Sequence, residues 1–292
     1  MEPTTRAIAT PNLTFQVLEA GAGPVALCLH GFPDDARTWR HQMPALVEAG
    51  YHVVAPFMRG YAPTAQPADG RYDVMALGED VAALLEALDA QDAVVIGHDW
   101  GAVATYFGAL LAAPRIRAIV TLAVPYGPAF FQALREDYAQ QRRSWYMVFF
   151  QHRLADEALA RNDFAFIERL WGDWSPGWTP PAETLEAVRE TFRRPGTAAA
   201  ALAYYRASMG PMFEAPPEQL DGMIAGMGMP IAAPALYLHG ADDGCVGSEL
   251  VRGMDGFFPA GLRTEILPGA GHFVHHEQPD VVNRLVREFL RS

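Results

Sequence analysis

The sequence predicts an α/β fold, a mostly parallel sheet flanked by helices, with a helical segment inserted into it. Two observations carry this. Short apolar, β-branched runs alternate with helical patterns in two stretches, one towards each end of the chain. Between them, roughly Gly127 to Gly228, the alternation stops and helical periodicity takes over. Residues 1–126 and 229–292 are therefore expected to form one discontinuous core, and residues 127–228 a helical cap.

In chain order, Val25–Leu29, Val53–Pro56, Ala93–Ile96 and Ala118–Val124 read as strands covered on both faces, because they are continuously apolar rather than alternating. Ala36–Ala49 reads as a helix ending at Gly50. Met75–Leu88 sets Leu77, Val81, Leu84, Leu85 and Leu88 on one helical face. In the inserted segment, Phe130–Gln151, Glu157–Leu170, Ala182–Phe192 and Thr197–Met209 read as helices. Ser175-Pro176-Gly177 and Thr179-Pro180-Pro181 punctuate them. Met223, Met227 and Met229 fall where the insertion rejoins the core, and read as ordinary packing or as lining of that junction. Ala235–His239 and Thr264–Leu267 read as strands, and Val281–Leu290 as a closing amphipathic helix.

The 292 residues are half hydrophobic and 19% charged, enough for a large core without disulfides. Cys28 and Cys245 suggest neither a disulfide framework nor a metal cluster, and Cys28 lies inside an apolar run. A formal net charge of −12 argues against nucleic acid and anionic membrane surfaces as partners. Met1 to Phe15 shows no apolar leader core, and no stretch approaches a membrane span, so a cytoplasmic location is the expectation.

Four motifs carry chemistry. The first is Val94-Val95-Ile96-Gly97-His98-Asp99-Trp100-Gly101, with a helix-like run after it. A strand entering a sharp turn with Gly on both sides of one residue is a nucleophile elbow. Its central residue here is Asp99 rather than Ser. A carboxylate can displace a leaving group at saturated carbon and form an ester that is then hydrolysed at its own carbonyl. The bland alternative is that Asp99 caps the helix. The second motif, His30-Gly31-Phe32-Pro33, follows a strand. With an elbow downstream, the N–H groups of Phe32 and Trp100 become an oxyanion hole. In the third, Gly240-Ala241-Asp242-Asp243, the spacing favours Asp243 over Asp242 as the carboxylate that orients a histidine; either could be a turn residue. The fourth, Gly271-His272-Phe273, supplies that histidine, while His275 and His276 read as surface or supporting residues. No His and carboxylate pair has metal-ligand spacing. All four motifs end predicted parallel strands, where open α/β sheets bind ligands.

On these residues, together with Arg59-Gly60-Tyr61, the sequence resembles the epoxide hydrolase and haloalkane dehalogenase branch of the α/β-hydrolase superfamily over almost its whole length. The resemblance implies an α/β-hydrolase fold with a helical lid. It also implies two cap tyrosines that protonate the epoxide oxygen. Ser144-Trp145-Tyr146-Met147 and Ala203-Tyr204-Tyr205-Arg206 resemble the segments that bear them, pointing to Tyr146 and Tyr205, with Tyr204 as the competing register. His30, Pro33, Trp145, Phe149 and Phe150 are expected to line an apolar substrate pocket. Asp99 would form the ester, and His272, oriented by Asp243, would activate water. The chemistry requires neither cofactor nor metal. Its partners are a small apolar epoxide and water, and a homodimer is left open. A haloalkane dehalogenase would use the same triad, with Trp100 and one of Trp145, Trp171, Trp174 or Trp178 facing the halide. Fluoroacetate dehalogenases carry Arg where this chain has Trp100, which disfavours carboxylate substrates. The rival from another class is a catalytically silent binding protein of the same fold, whose mark would be a missing triad member.

Overall fold

The computed structural model describes residues 2–291. Met1 and Ser292, the outermost residues of the two expected core segments, lie outside the described residues. Eight strands form one sheet in the order β1-β2-β4-β3-β5-β6-β7-β8. They are β1 Thr4–Ala9, β2 Thr14–Ala20, β3 Val25–Leu29, β4 His52–Pro56, β5 Ala93–His98, β6 Ile116–Leu122, β7 Ala235–Gly240 and β8 Leu262–Leu267. From β4 to β8 all neighbours are parallel; β1 and β2 add an antiparallel edge. Sequence periodicity passed over this hairpin because β1 is nearly all exposed and has no apolar run; β2 alternates, turning Phe15 and Val17 inwards. Every residue of β3, β5 and β7 is buried, as strands covered on both faces must be.

Helix Val74–Ala87 begins where the Asp73 carboxylate accepts the Ala76 N–H, and buries Leu77, Val81, Leu84 and Leu85. It packs on helix Trp100–Leu111, and a Cβ at Gly78 would come within 2.7 Å of Phe107. The stretch expected as one helix over Ala36–Ala49 is a 3-10 turn, Ala36–His41, followed by helix Gln42–Glu48; Asp35 caps the first.

Between β6 and β7 the chain is helical. Phe130–Gln151, expected as one helix, is three: Ala129–Glu136, Tyr138–Arg143 and Trp145–Phe149. Extended backbone at Asp137, whose carboxylate accepts the Ala139 N–H, makes the first break. Leu154–Trp174 is interrupted at 161–164, where Asn162, Asp163 and Phe164 have positive φ. Helices Ala182–Arg193, Thr197–Glu214 and Pro217–Ala225 follow, the last not anticipated. No helix among the described residues is long and apolar enough to cross a membrane.

Candidate active site

The elbow is built from backbone crowding. A Cβ at Gly97 would meet the Gly101 carbonyl oxygen at 2.1 Å, and one at Gly101 would meet that of Leu29 at 2.0 Å. Only glycine lets β5, the turn and helix Trp100–Leu111 approach this closely. The turn holds Asp99 at φ 54°, a left-handed value rare outside glycine. Its side chain makes no capping bond to its own helix. Asp99 Oδ1 instead accepts the Phe32 N–H at 2.7 Å, from the loop after β3. Trp100 opens the helix directly after it.

Asp99 Oδ2 lies 3.6 Å from His272 Nε2, and the opposite ring nitrogen, Nδ1–H, donates to Asp243 Oδ2 at 2.8 Å. Asp243 is buried and meets His272, while Asp242 is exposed. Asp243 Oδ1 accepts the Cys245 and Val246 N–H groups at 2.6 and 2.9 Å. Burial alone would raise the Asp243 pKa. The charge on His272 and hydrogen bonds from His239 and His272 outweigh it and hold the carboxyl well below its ordinary range. The coupled His272 moves the other way: burial disfavours its proton, but the Asp243 charge prevails and raises it well above 6.5.

Two tyrosines face this line. Tyr146 and Tyr205 are buried with ring centroids 5.7 Å apart, and both wall a cavity of about 300 Å³ together with Asp99 and Trp100. The Tyr146 hydroxyl meets Cys245 Sγ at 3.2 Å, while Tyr205 lies beside the Trp100 indole, ring centroids 5.0 Å apart. Burial raises both phenols well above 10, so they remain protonated donors at neutral pH. Tyr204 instead donates to the Arg59 carbonyl at 2.9 Å and does not reach the cavity.

The expected substrate-binding set fares differently, since none of its five members walls the cavity. Trp145 is 47% exposed. Trp145 and Phe149 share the outward face of their short helix and pack on Phe166, whereas Tyr146 and Phe150 share the inward one. Phe150 is buried behind the tyrosines, 5.1 Å from the Tyr205 ring. His30 supports the oxyanion loop from below: Nδ1–H donates to the Gly31 carbonyl and Nε2 accepts the Met58 N–H, both at 3.0 Å. Pro33 accepts the Trp171 indole N–H at 3.0 Å. Met227 and Met229, by contrast, do wall the cavity.

Sequence reasoning missed the supporting residues. His239 Nε2–H is shared between the Val246 carbonyl at 3.0 Å and Asp243 Oδ2 at 3.2 Å, and its Nδ1 meets the Tyr237 hydroxyl. His98 Nε2–H donates to the His272 carbonyl at 3.0 Å; burial lowers its pKa to about 3, keeping it neutral. Glu277 accepts the Gly271 and Phe273 N–H groups at 2.8 and 3.0 Å, clamping the loop on both sides of His272. His98 stands inside the elbow motif, His239 directly before Gly240 and Cys245 two positions after Asp243, so position is the available signal.

His275 and His276 are buried rather than on the surface. Their Nε2 atoms meet the Thr38 hydroxyl at 2.6 and 2.8 Å, and His276 Nε2 lies 3.4 Å from Asp34 Oδ2. Asp34, His275 and His276 could hold a metal by geometry, their ligand atoms lying within 4.8 Å of one another. Spacing along the chain could not reveal this, because Asp34 comes from a distant loop. Thr38 already satisfies both imidazole Nε2 atoms.

Known proteins resemble the chain throughout. A family model described as alpha/beta hydrolase fold matches residues 24–279. Epoxide hydrolase A of Mycobacterium tuberculosis is 31% identical over 322 residues, covering 99% of this chain and 97% of that protein. An epoxide hydrolase of Caballeronia sordidicola is 32% identical, covering 98% and 93%. The crystal structure of epoxide hydrolase A from Mycobacterium thermoresistibile is similar with a TM-score of 0.82 at 32% identity, covering 99% of this chain and 98% of that one. With an Asp-centred elbow, a histidine and a second carboxylate at the strand ends, the chain belongs to the alpha/beta-hydrolase fold family and, within it, to the epoxide hydrolases.

Proposed function

We propose that the chain converts a small apolar epoxide and water into a vicinal diol through an ester on Asp99, with residues 127–228 acting as a cap over the core. The observation that carries this is a carboxylate, not a hydroxyl, at the elbow, sharing a cavity with two buried phenols. Asp99 Oδ1 already accepts the Phe32 N–H, so Oδ2 is the free nucleophile. It attacks an epoxide carbon, the carbon–oxygen bond breaks, and the oxygen takes a proton from Tyr146 or Tyr205. His272 then removes a proton from water, and the resulting hydroxide adds to the Asp99 carbonyl carbon. The oxyanion that forms on Oδ1 meets the N–H groups of Phe32 and Trp100; losing such a donor typically costs about 10²–10³ in rate. Collapse expels the diol alkoxide, which takes the proton from His272. The proton left on the Asp99 carboxyl returns to the tyrosinate.

The test uses the fact that a carboxylate needs no base to attack. His272→Gln should alkylate itself and stall, gaining the mass of one substrate per chain on the peptide containing Asp99. Normal turnover by this variant, or an adduct elsewhere, would sink the covalent scheme. One observation favours a second reading: the buried Trp100 indole lines the cavity beside Tyr205, where its N–H would be at hand for a departing halide. Phe32 has no side-chain donor to join it. Halide release from haloalkanes exceeding diol formation from epoxides would favour a dehalogenase.

A further inference from the structure

We infer, building on the epoxide reading, that the cavity has a single arm and that its substrate is a terminal epoxide bearing one elongated apolar substituent. The arm runs along one face of helix Trp100–Leu111, whose Trp100, Val103, Phe107 and Leu110 form its floor. At a rise of about 1.5 Å per residue, that floor is roughly 15 Å long. Tyr205, Met209 and Met212 of helix Thr197–Glu214 form the roof, again at helical spacing. The arm reaches solvent beside Met229, which is 63% exposed. Of the further hydroxyls in the wall, Tyr106 donates to the Val124 carbonyl and Tyr126 to that of Met229, while Ser208 Oγ is buried without a hydrogen-bond partner. With an apolar floor and a largely apolar roof, broken only by the Tyr205 and Ser208 hydroxyls, the arm selects carbon.

The opposite side of Asp99 is full. The Phe32 ring lies 5.5 Å from Phe150, 6.1 Å from Phe192 and 6.3 Å from Trp174, all buried and none walling the cavity. Tyr146 closes the gap between Phe150 and Trp174 at 5.4 and 4.9 Å. A packed aromatic cluster does not yield to an extra alkyl group without strain. One epoxide carbon can thus carry a chain along the arm, while the other must carry hydrogens.

The test is diol formation by the full chain from terminal epoxides of increasing length, 1,2-epoxybutane to 1,2-epoxydecane, and from trans-4,5-epoxyoctane as an isomer of 1,2-epoxyoctane. Specificity, kcat/KM, should climb by up to about fourfold per methylene until the arm is filled. The internal isomer should lag the terminal one by at least about tenfold. Terminal epoxides are intrinsically less hindered, so two variants isolate the protein's share, each checked for folding by circular dichroism. Phe150→Ala, by emptying the closed side, should raise the internal-to-terminal ratio. Val103→Trp, by narrowing the arm, should flatten the length dependence, and it decides the matter if Phe150→Ala does not fold. Length-independent rates in the wild type, or ratios that neither variant moves, would overturn the single arm while leaving the epoxide reading standing. No diol from any epoxide would overturn both.

Discussion

The two sides of the cavity are held in different ways. On the strand side, Asp99, Asp243 and His272 are fixed by directional bonds from backbone N–H groups and neighbouring rings, at strand ends where close backbone approach leaves little room for another arrangement. On the helical side, Tyr205 is located by the rings of Phe32, Phe150 and Trp100, 5.0–5.3 Å away. The strand side is specified by hydrogen-bond geometry, with few solutions. The helical side is specified by volume, which many sequences satisfy. A reacting group that must hold a charge needs the first kind of support. A neutral hydroxyl can rely on the second.

The comparison breaks most sharply at the acid. Asp243→Asn should lower turnover by about 10⁴, the scale of losing the carboxylate that orients a catalytic histidine. Asp242→Asn, on the exposed neighbour, should leave turnover near wild type. Steady-state diol formation measures both, and equal losses would mean that Asp243 does not orient His272. On the helical side, Tyr146→Phe with Tyr205→Phe should slow ester formation by about 10²–10⁴, each single change costing less because the other phenol still donates. Pre-steady-state trapping of the Asp99 adduct reads that step directly. An undiminished double variant would locate the proton donor elsewhere.

A gentler probe is pH. In the proposed reaction His272 acts as a base only when neutral, and the Asp243 charge raises its pKa above 6.5. Turnover should therefore rise about tenfold per unit as pH climbs towards that pKa, then level off. The tyrosines, held protonated by burial, should impose no fall until above 10. A kcat profile flat down to pH 5 would remove His272 from the rate-limiting hydrolysis. The smallest effect belongs to Trp145→Ala. Its ring packs outward on Phe149 and Phe166, so kcat/KM should change by less than about twofold.

What could be read from the chain follows the same division. Asp99 and His272 were legible because glycines forced by close backbone approach mark their loops. The central strands were open to inference because continuous apolar runs announce burial on both faces. The edge hairpin β1–β2 was not, because an exposed edge strand carries almost no apolar signal. Trp145 and Phe149 were mistaken for pocket residues because aromatic content does not give helical phase; the inward pair is Tyr146 and Phe150. The cavity floor escaped notice because Val103, Phe107 and Leu110 look like any helix packed on a sheet.

The carbonyl of Trp174, last residue of its helix, accepts the N–H of Gly244 at 3.0 Å and that of His272 at 3.1 Å. Ser175, next along, gives its hydroxyl proton to Glu277 at 2.7 Å, and Glu277 in turn grips the backbone around His272. Mechanically, this end of the helical segment is riveted to the loops of both Asp243 and His272. Displacing it would pull Asp243 and His272 out of line before it widened the cavity, so on the proposed reaction substrate and diol are expected to pass at the far end, beside the exposed Met229. The rivet couples helix docking to the placement of Asp243 and His272, so heat or denaturant that loosens the helices is expected to lower turnover before it weakens binding.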